Sequence, residues 1–285
     1  MKERRLKKCQ SINQFLDYFP KLNYILLMNG YRNLEIVEKK EWENGYFSFF
    51  FEDKDIADKV FPGNFFMIKT KHPENGVILP RPFSIARVFA EKGVFEIFFQ
   101  VVGRGTENFS RLKEGDEIEI LGPLGNKFPF ETNKKIIMIG GGRGISPFLY
   151  LVKILKERGK EYKLIYGGKS IKDIKFRSYL SEFNTTFVTE DGSFGERGLV
   201  TDYLPTGDFL ILSCGPEIMM EKIFEFYRAT ESDVFVSLEE RMACGTGICY
   251  GCAKRIKRNG KVEMVRVCQE GPVFKAEEVF WNEQD

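Results

Sequence analysis

The stretch Lys135-Ile-Ile-Met-Ile139-Gly140-Gly-Gly-Arg-Gly144-Ile-Ser146-Pro147 sets the architecture of this 285-residue chain. A short apolar run closed by glycines reads as a strand covered on both faces, the habit of parallel sheets. Ser146 fits an N-cap with Pro147 at the first helical position. The helix they open carries Phe148, Leu151, Val152 and Leu155 on one face. Strands recur at Lys163–Tyr166, Thr186–Thr189 and Phe209–Leu212 with helical segments between. That alternation predicts a doubly wound parallel sheet ending near Asp233. Glycines at the end of the first strand let backbone approach a pyrophosphate at the helix N-terminus. Their spacing is not G-x-G-x-x-G, and a plain strand–helix turn needs about two of the four.

Upstream, from Leu34 to about Phe130, short strands and turn signals describe a small antiparallel barrel. Phe47, Phe49 and Phe51 alternate with Tyr46, Ser48 and Phe50, and further strands read at Phe65–Thr70, Phe83–Val88, Phe95–Val102 and Glu117–Leu121. Within the barrel, Arg81-Pro82-Phe83-Ser84 offers a planar fork suited to phosphate oxygens. Gly103-Arg-Gly105-Thr106 opens a short helix, running to Leu112, whose free N–H groups favour an anion. Singly, these are an ordinary strand entry and a turn with an N-cap; together in one barrel they favour a flavin diphosphate site. Gly122-Pro-Leu-Gly125 reads as a turn ending the barrel.

Downstream, Cys214-Gly215-Pro216 ends the last parallel strand and opens a helix from Glu217 to Tyr227, which is ligand territory by the switch-point rule. Cys214 by itself also suits a buried small residue, and Asp191-Gly-Ser193 suits a turn. Then comes Cys244-Gly-Thr-Gly-Ile-Cys249-Tyr-Gly-Cys252, with Cys268 beyond it. C-x4-C-x2-C…C is the plant-type spacing of four thiolates around a [2Fe–2S] cluster. Gly245, Gly247 and Gly251 would supply the positive φ that turns backbone N–H groups toward the sulfurs. A four-cysteine zinc knuckle usually pairs two C-x2-C units, and a disulfide framework lacks any mark of secretion.

Lys plus Arg number 43 against 41 Asp plus Glu, with no basic block interleaved with aromatics, which argues against nucleic acid. The single histidine, His72, sits in a polar segment, so histidine-based nucleophilic or metal chemistry finds no support. The basic cluster at residues 2–8 and the apolar run Tyr24 to Met28 are too short to span a bilayer. The residues before Met28 read as an extension or a misassigned start. Free cysteines without a usable secretion signal indicate the cytoplasm.

Taken in order, the motifs resemble the ferredoxin–NADP reductase superfamily. The resemblance implies an antiparallel flavin-binding β-barrel, a doubly wound parallel-sheet nucleotide domain and a small C-terminal [2Fe-2S] lobe. The expected boundaries are 1–32 for the extension, 33–132 for the barrel, 133–232 for the nucleotide domain and 233–285 for the lobe. More specifically, Glu239-Glu-Arg-Met-Ala-Cys244 through Cys252, Cys268-Gln-Glu-Gly-Pro-Val-Phe274 and Asp191-Gly-Ser through Asp202 resemble the electron-transfer subunits of NAD-linked heteromeric dihydroorotate dehydrogenases. That resemblance implies FAD held by Arg81, Pro82, Phe83, Ser84, Gly103, Gly105 and Thr106. It implies NAD against Gly141, Gly142, Cys214 and Gly215, and a [2Fe-2S] cluster on Cys244, Cys249, Cys252 and Cys268. No residue is assigned as a catalytic acid or base.

The implied role is oxidoreductase electron transport in pyrimidine biosynthesis, from the FMN of a partner catalytic subunit, in a heterotetramer, to NAD. A nicotinamide takes two electrons as hydride whereas a cluster moves one, so a flavin is needed between them. Dihydroorotate oxidation requires proton abstraction and would occur on the partner. Arg143 stands where that family carries a small apolar residue, where it either adds a phosphate contact or crowds the nicotinamide nucleotide, and Lys169 and Ser170 suit a 2′-phosphate as well as none. Related small subunits of a ferredoxin–NADP transhydrogenase, an anaerobic sulfite reductase or a hydrogenase are rival readings. The transhydrogenase motif usually has Asp at the position of Cys244. A zinc-stabilised interaction module is a further alternative.

Overall fold

The computed structural model describes residues 30–71 and 76–281. The readings of His72 and of the segment before Met28 therefore lie outside the described residues.

The first half builds seven antiparallel strands. They are β1 (Arg32–Glu35), β2 (Glu38–Trp42), β3 (Tyr46–Glu52), β4 (Phe65–Thr70), β5 (Arg81–Phe89), β6 (Val94–Gln100) and β7 (Glu117–Leu124), ordered β1-β7-β4-β5-β6-β3-β2. Helix α1 (Lys54–Ala57) follows β3, and α2 (Arg104–Arg111) follows β6. Strand alternation sends Phe49, Phe51, Phe66, Phe95 and Phe99 inward against Ile68, Ile85, Ile118 and Ile120, all buried. Gly122-Pro-Leu-Gly125 is not the expected turn. Phe65 pairs with Leu124 across a register shift in β4, so the ladder carries β7 through Gly122 and Pro123.

Past Asn133 the period changes as expected. The second sheet runs β11-β10-β9-β8-β12-β13-β16, made of β8 (Ile136–Gly141), β9 (Tyr162–Gly168), β10 (Thr185–Thr189), β11 (Glu196–Arg197), β12 (Leu210–Cys214), β13 (Asp233–Ser237) and β16 (Val273–Lys275). All neighbours are parallel except β16 against β13. The connections are α3 (Ser146–Glu157), α4 (Arg177–Leu180) and α5 (Glu217–Tyr227). The apolar face of α3, with Phe148, Leu151, Val152 and Leu155, is buried, and the helix packs against β5 of the barrel. One core therefore crosses from barrel to sheet.

Three expectations are corrected. The sheet does not end near Asp233, because Asp233–Ser237 pairs in parallel with Leu210–Cys214. A boundary between residues 232 and 233 thus cuts through hydrogen-bonded sheet, and Cys214 ends the penultimate parallel strand. Ser146 does not cap α3. Residues Gly142–Ile145 form a 3-10 turn running straight into the helix, so the preceding backbone is already helical and the Ser146 hydroxyl faces the Ser84 carbonyl oxygen at 3.5 Å.

The cysteine lobe is a hairpin of β14 (Ala253–Arg258) and β15 (Lys261–Arg266), then α6 (Val267–Glu270) and the return along β16. Its buried residues Cys252, Ile256, Val265, Val267 and Cys268 pack with Phe65, Met67 and Leu121 of the barrel and Val236 and Leu238 of the sheet. Asn126 ties this junction. Its side chain donates to the carbonyls of Glu270 (3.1 Å) and Val273 (2.8 Å) and accepts from Val273 N–H (2.9 Å).

Candidate functional site: three cavities and a cysteine loop

Strand order reverses between β8 and β12, and a cavity of about 780 Å³ opens at their C-terminal ends. Of the residues expected against NAD, Gly141, Gly142 and Gly215 line it and Cys214 does not. The extra glycines of the loop have reasons internal to the protein. A Cβ on Gly144 would lie 2.1 Å from the Cys214 carbonyl oxygen, and one on Gly141 would lie 2.7 Å from Met219 Sδ. The first βα loop therefore nests directly against the Cys214-Gly215-Pro216 turn. Lys169 and Lys222 also line the cavity without an ion-pair partner among the described residues. Ser170 instead gives its backbone N–H and hydroxyl to Asp173 Oδ2.

A second cavity of about 250 Å³ lies between barrel and sheet. Arg81, Pro82, Phe83, Ser84, Thr106 and Cys214 all border it, so the structure joins two motifs far apart in sequence. Cys214 is buried, and burial pushes its thiol well above the ordinary range. The Phe83 ring belongs to the barrel core, 5.4 Å from Phe99 and 5.5 Å from Phe109.

A third cavity of about 310 Å³ is lined by Arg81, Gly103, Gly105 and Thr106 with the exposed apolar side chains of Ile78, Leu79 and Val102. Arg81 passes over Gly105, where a Cβ would lie 2.7 Å from its Nε. Its Nη1 donates to the Leu79 carbonyl at 2.7 Å. The Thr106 hydroxyl accepts from Val102 N–H (2.9 Å) and Gly103 N–H (3.2 Å) and donates to the Gly103 carbonyl (3.0 Å). Its hydrogen bonds are thus spent on shaping the turn, and α2 presents its first-turn N–H groups to the cavity.

The four cysteines fall into two pairs. Cys244 Sγ accepts from the N–H groups of Thr246 (3.4 Å) and Cys249 (3.5 Å) and interacts with the Cys249 side chain. Cys252 Sγ accepts from Cys268 N–H (3.4 Å). Burial works against ionising Cys244, but the bonds from Thr246 and Cys249 bring it down to about 6. Burial and the Cys252 thiol push Cys268 up. Gly251 N–H points to Cys249 Sγ (3.4 Å). Gly245 and Gly247 do have φ of +72° and +78°. Gly251 does not; Tyr250 takes the left-handed turn instead, at φ +56°. Four thiols in two pairs, their sulfurs already receiving N–H donors, suit two irons with two thiolates each. Among the described residues no group of three or more cysteine, histidine or acidic side chains converges on one metal ion.

Among the other lining residues, Tyr46, Gln100, Leu238 and Lys254 carried no site signal in the sequence, whereas Arg143 stood out in the glycine loop. Tyr46 and Gln100 reach the nucleotide cavity from the barrel, and Gln100, Arg143, Leu238, Glu239 and Glu240 border both it and the cavity beside Ser84. Lys254 of the lobe bridges Glu217 (3.2 Å) and Glu240 (3.4 Å). Arg266 donates to the Gly247 carbonyl (3.1 Å), pairs with Glu270 (2.6 Å) and covers the Tyr250 ring at 5.0 Å. Each is an ordinary surface charge or strand end until the lobe folds back. Among the described residues no helix is long and apolar enough to cross a membrane.

Residues 239–280 match the iron-sulfur cluster binding domain of dihydroorotate dehydrogenase B, and residues 138–224 match an oxidoreductase NAD-binding domain. The chain is 36% identical over 248 residues to the dihydroorotate dehydrogenase B (NAD(+)) electron transfer subunit of Listeria monocytogenes serovar 1/2a, covering 80% of this chain and 96% of the relative. It is 39% identical over 226 residues to the subunit of that name from Caldanaerobacter subterraneus subsp. tengcongensis, covering 78% and 88%. A solved structure titled for flavin-based electron bifurcation by an NADH-dependent reduced ferredoxin–NADP oxidoreductase superposes with a TM-score of 0.76 at 31% identity, covering 90% and 92% of the two chains. Phthalate dioxygenase reductase shares the fold at a TM-score of 0.62 and 16% identity, covering 88% and 97%. With the glycine crevice, the barrel cavities and the paired cysteines in one molecule, this chain belongs to the family of dihydroorotate dehydrogenase B (NAD(+)) electron transfer subunits.

Proposed function

We propose that this chain moves electrons from the FMN of a dihydroorotate dehydrogenase catalytic subunit to NAD, using a [2Fe-2S] cluster and FAD that it holds itself. The carrying observation is the closeness of cysteine loop and barrel cavity. Met242 lines the cavity beside Ser84, and Cys244 is two residues further on, at most about 7 Å of chain. When bound, the cluster supplies one-electron steps and the flavin converts them to hydride chemistry.

The chain's own residues position these groups. Arg81, Gly105 and the start of α2 take the FAD diphosphate, with Gly103 and Thr106 shaping that turn. Pro82, Phe83 and Ser84 set the strand against which the flavin ring lies. Gly141, Gly142, Cys214 and Gly215 receive NAD at the sheet's switch point. Cys214, buried at the end of β12, borders the cavity beside Ser84. Cys244 with Cys249, and Cys252 with Cys268, ligate one iron each.

Functionally the chain divides into a flavin domain at 33–132, a nucleotide domain at 133–232 and a cluster lobe at 233–285, with β13 and β16 shared between the last two. None of these residues forms an acid–base dyad suited to dihydroorotate, which therefore reacts on the partner. The assembly, a heterotetramer, belongs in the cytoplasm, where thiols stay reduced.

The test is anaerobic co-purification with the catalytic subunit. About two irons, two acid-labile sulfides and one FAD per chain are expected, together with NAD reduction driven by dihydroorotate. A colourless, iron-free protein would refute the reading.

A further inference from the structure

The nucleotide and flavin cavities adjoin at a bridge that no other part of the site explains. Arg143, exposed on the 3-10 turn of the glycine loop, donates from Nη1 to Gln100 Oε1 at 3.1 Å, and both side chains line both cavities. Gln100 is the last residue of β6, so this contact spans from barrel to nucleotide domain. Among the described residues the guanidinium has this neutral amide as its hydrogen-bond partner and no carboxylate. Asp173 and Tyr46 lie in the same corner: burial, then Asp173, push the Tyr46 hydroxyl above its ordinary range, and Arg143 opposes them. An arginine left with donors to spare, on the loop that faces the cleft, is placed for an anion that the protein itself does not supply.

We propose that Arg143 anchors the dinucleotide. On binding, its guanidinium leaves Gln100 for the diphosphate, and the same movement clears the passage between the cavities. A planar fork pairs with phosphate oxygens in two parallel hydrogen bonds. Exchanging one bond to a neutral amide for charge-assisted ones favours the nucleotide-bound arrangement. The Gln100 contact is then a resting position, given up as the crevice fills.

This rests on the glycine crevice being the NAD site, and the experiment separates the two. Calorimetric titration of the full, flavin- and cluster-loaded chain with NAD+, ADP-ribose and AMP reads affinity without turnover. The parent is expected to bind NAD+ and ADP-ribose. If it binds neither, the NAD reading fails and takes this proposal with it. Arg143→Gln is expected to weaken NAD+ and ADP-ribose alike, by about tenfold or ~1.4 kcal/mol, with AMP, which keeps one of the two phosphates, weakened no more than they are. Arg143→Lys should recover part of the loss. Gln100→Ala, which frees the arginine, is expected to bind ADP-ribose at least as tightly as the parent. Unchanged ADP-ribose affinity in Arg143→Gln, with the flavin spectrum intact, would overturn the proposal. So would an equal loss for adenosine, titrated alongside as the control that carries no phosphate, which would put the contact on the adenosine side.

Discussion

Gly105→Ala separates flavin binding from stability. The new methyl would sit 2.7 Å from Arg81 Nε and 3.0 Å from Cζ and Nη2. Ordinary contact needs about 3.5–4.0 Å, so the guanidinium must move by roughly 1 Å. It is held at its far side by the Leu79 and Pro80 carbonyls (2.7 and 3.3 Å), so movement there also disturbs the strand entry. Gly105 itself lies in helix α2 without positive φ, and replacing a helical glycine gains about 0.5–1 kcal/mol. The apoprotein should therefore unfold at the same temperature or slightly higher. Losing one charge-assisted bond to the diphosphate costs about 1.5–3 kcal/mol, or roughly 10- to 150-fold in the FAD dissociation constant. Fluorescence titration of deflavinated protein with FAD, beside calorimetric melting of the same sample, measures both quantities. Because the methyl acts through Arg81, adding Gly105→Ala to Arg81→Ala should cost almost nothing further. Parent-like FAD affinity in Gly105→Ala would refute the reasoning, as would additive losses in the double variant.

Gly245→Ala combines φ +72° with a Cβ only 2.3 Å from Met67 Cγ, so the cysteine loop should lift from the barrel and the iron content per chain should fall by half or more. Asn126→Ala removes three hydrogen bonds that pin the lobe's return strand. At about 1 kcal/mol each, roughly 3 kcal/mol should be lost in urea unfolding, with proteolysis near Gly271 as the structural readout. Arg87→Ala strands the fully buried Glu96, with which it forms an ion pair amid the rings of Phe50, Phe89, Phe176 and Tyr179, at a cost of about 3–5 kcal/mol. Burial holds the Glu96 carboxyl above the usual range. The folded variant therefore binds its proton more tightly than the unfolded chain does, and unfolding curves should show its deficit shrinking as pH falls. Finally, the isolated chain should reduce artificial acceptors with NADH while showing no dihydroorotate turnover; substrate oxidation by the chain alone would move the chemistry onto it.

What the sequence made legible was whatever depends on periodicity or on rare residues. Phenylalanine alternation located the barrel, the apolar run before Gly140 located the parallel sheet, and cysteine spacing located the lobe. What it hid depends on chain segments returning from far away. Asp233–Ser237 looked like the start of a new unit because its partner on the outer edge, β16, comes 40 residues later at Val273. Ser146 has the composition of a cap, yet the turn before it was already helical. Gln100 and Lys254 acquire meaning only when separate elements meet, and no local pattern marks a residue that will face a cavity made by others; Arg143, inside the glycine loop, was visible. Gly251 was misread for a related reason: a loop tight enough to wrap sulfur can place the left-handed turn on its neighbour Tyr250 if that side chain points to solvent, as here.

The segment 237–244 shows why the lobe follows the sheet directly instead of forming a tethered module. Ser237 ends β13 and borders the cavity beside Ser84; Leu238, Glu239 and Glu240 border both that cavity and the nucleotide crevice; Met242 returns to the first; Cys244 begins the cysteine loop. The segment 237–244 thus borders both cavities and runs directly into the cysteine loop. β16 then brings Pro272 back to the wall of the same cavity and closes the sheet edge. A flexible linker would let the cluster wander by many ångströms, whereas a strand continuing into a ligand loop fixes it by the ladder that holds the sheet. Lys254, gripping Glu217 at the start of α5 and Glu240 on this segment, adds a second tie from the lobe to the nucleotide crevice. Under the proposed function, electron transfer between centres depends on fixed separation, and the sheet pairing of β13 holds the cysteine loop at a fixed place beside the barrel cavity.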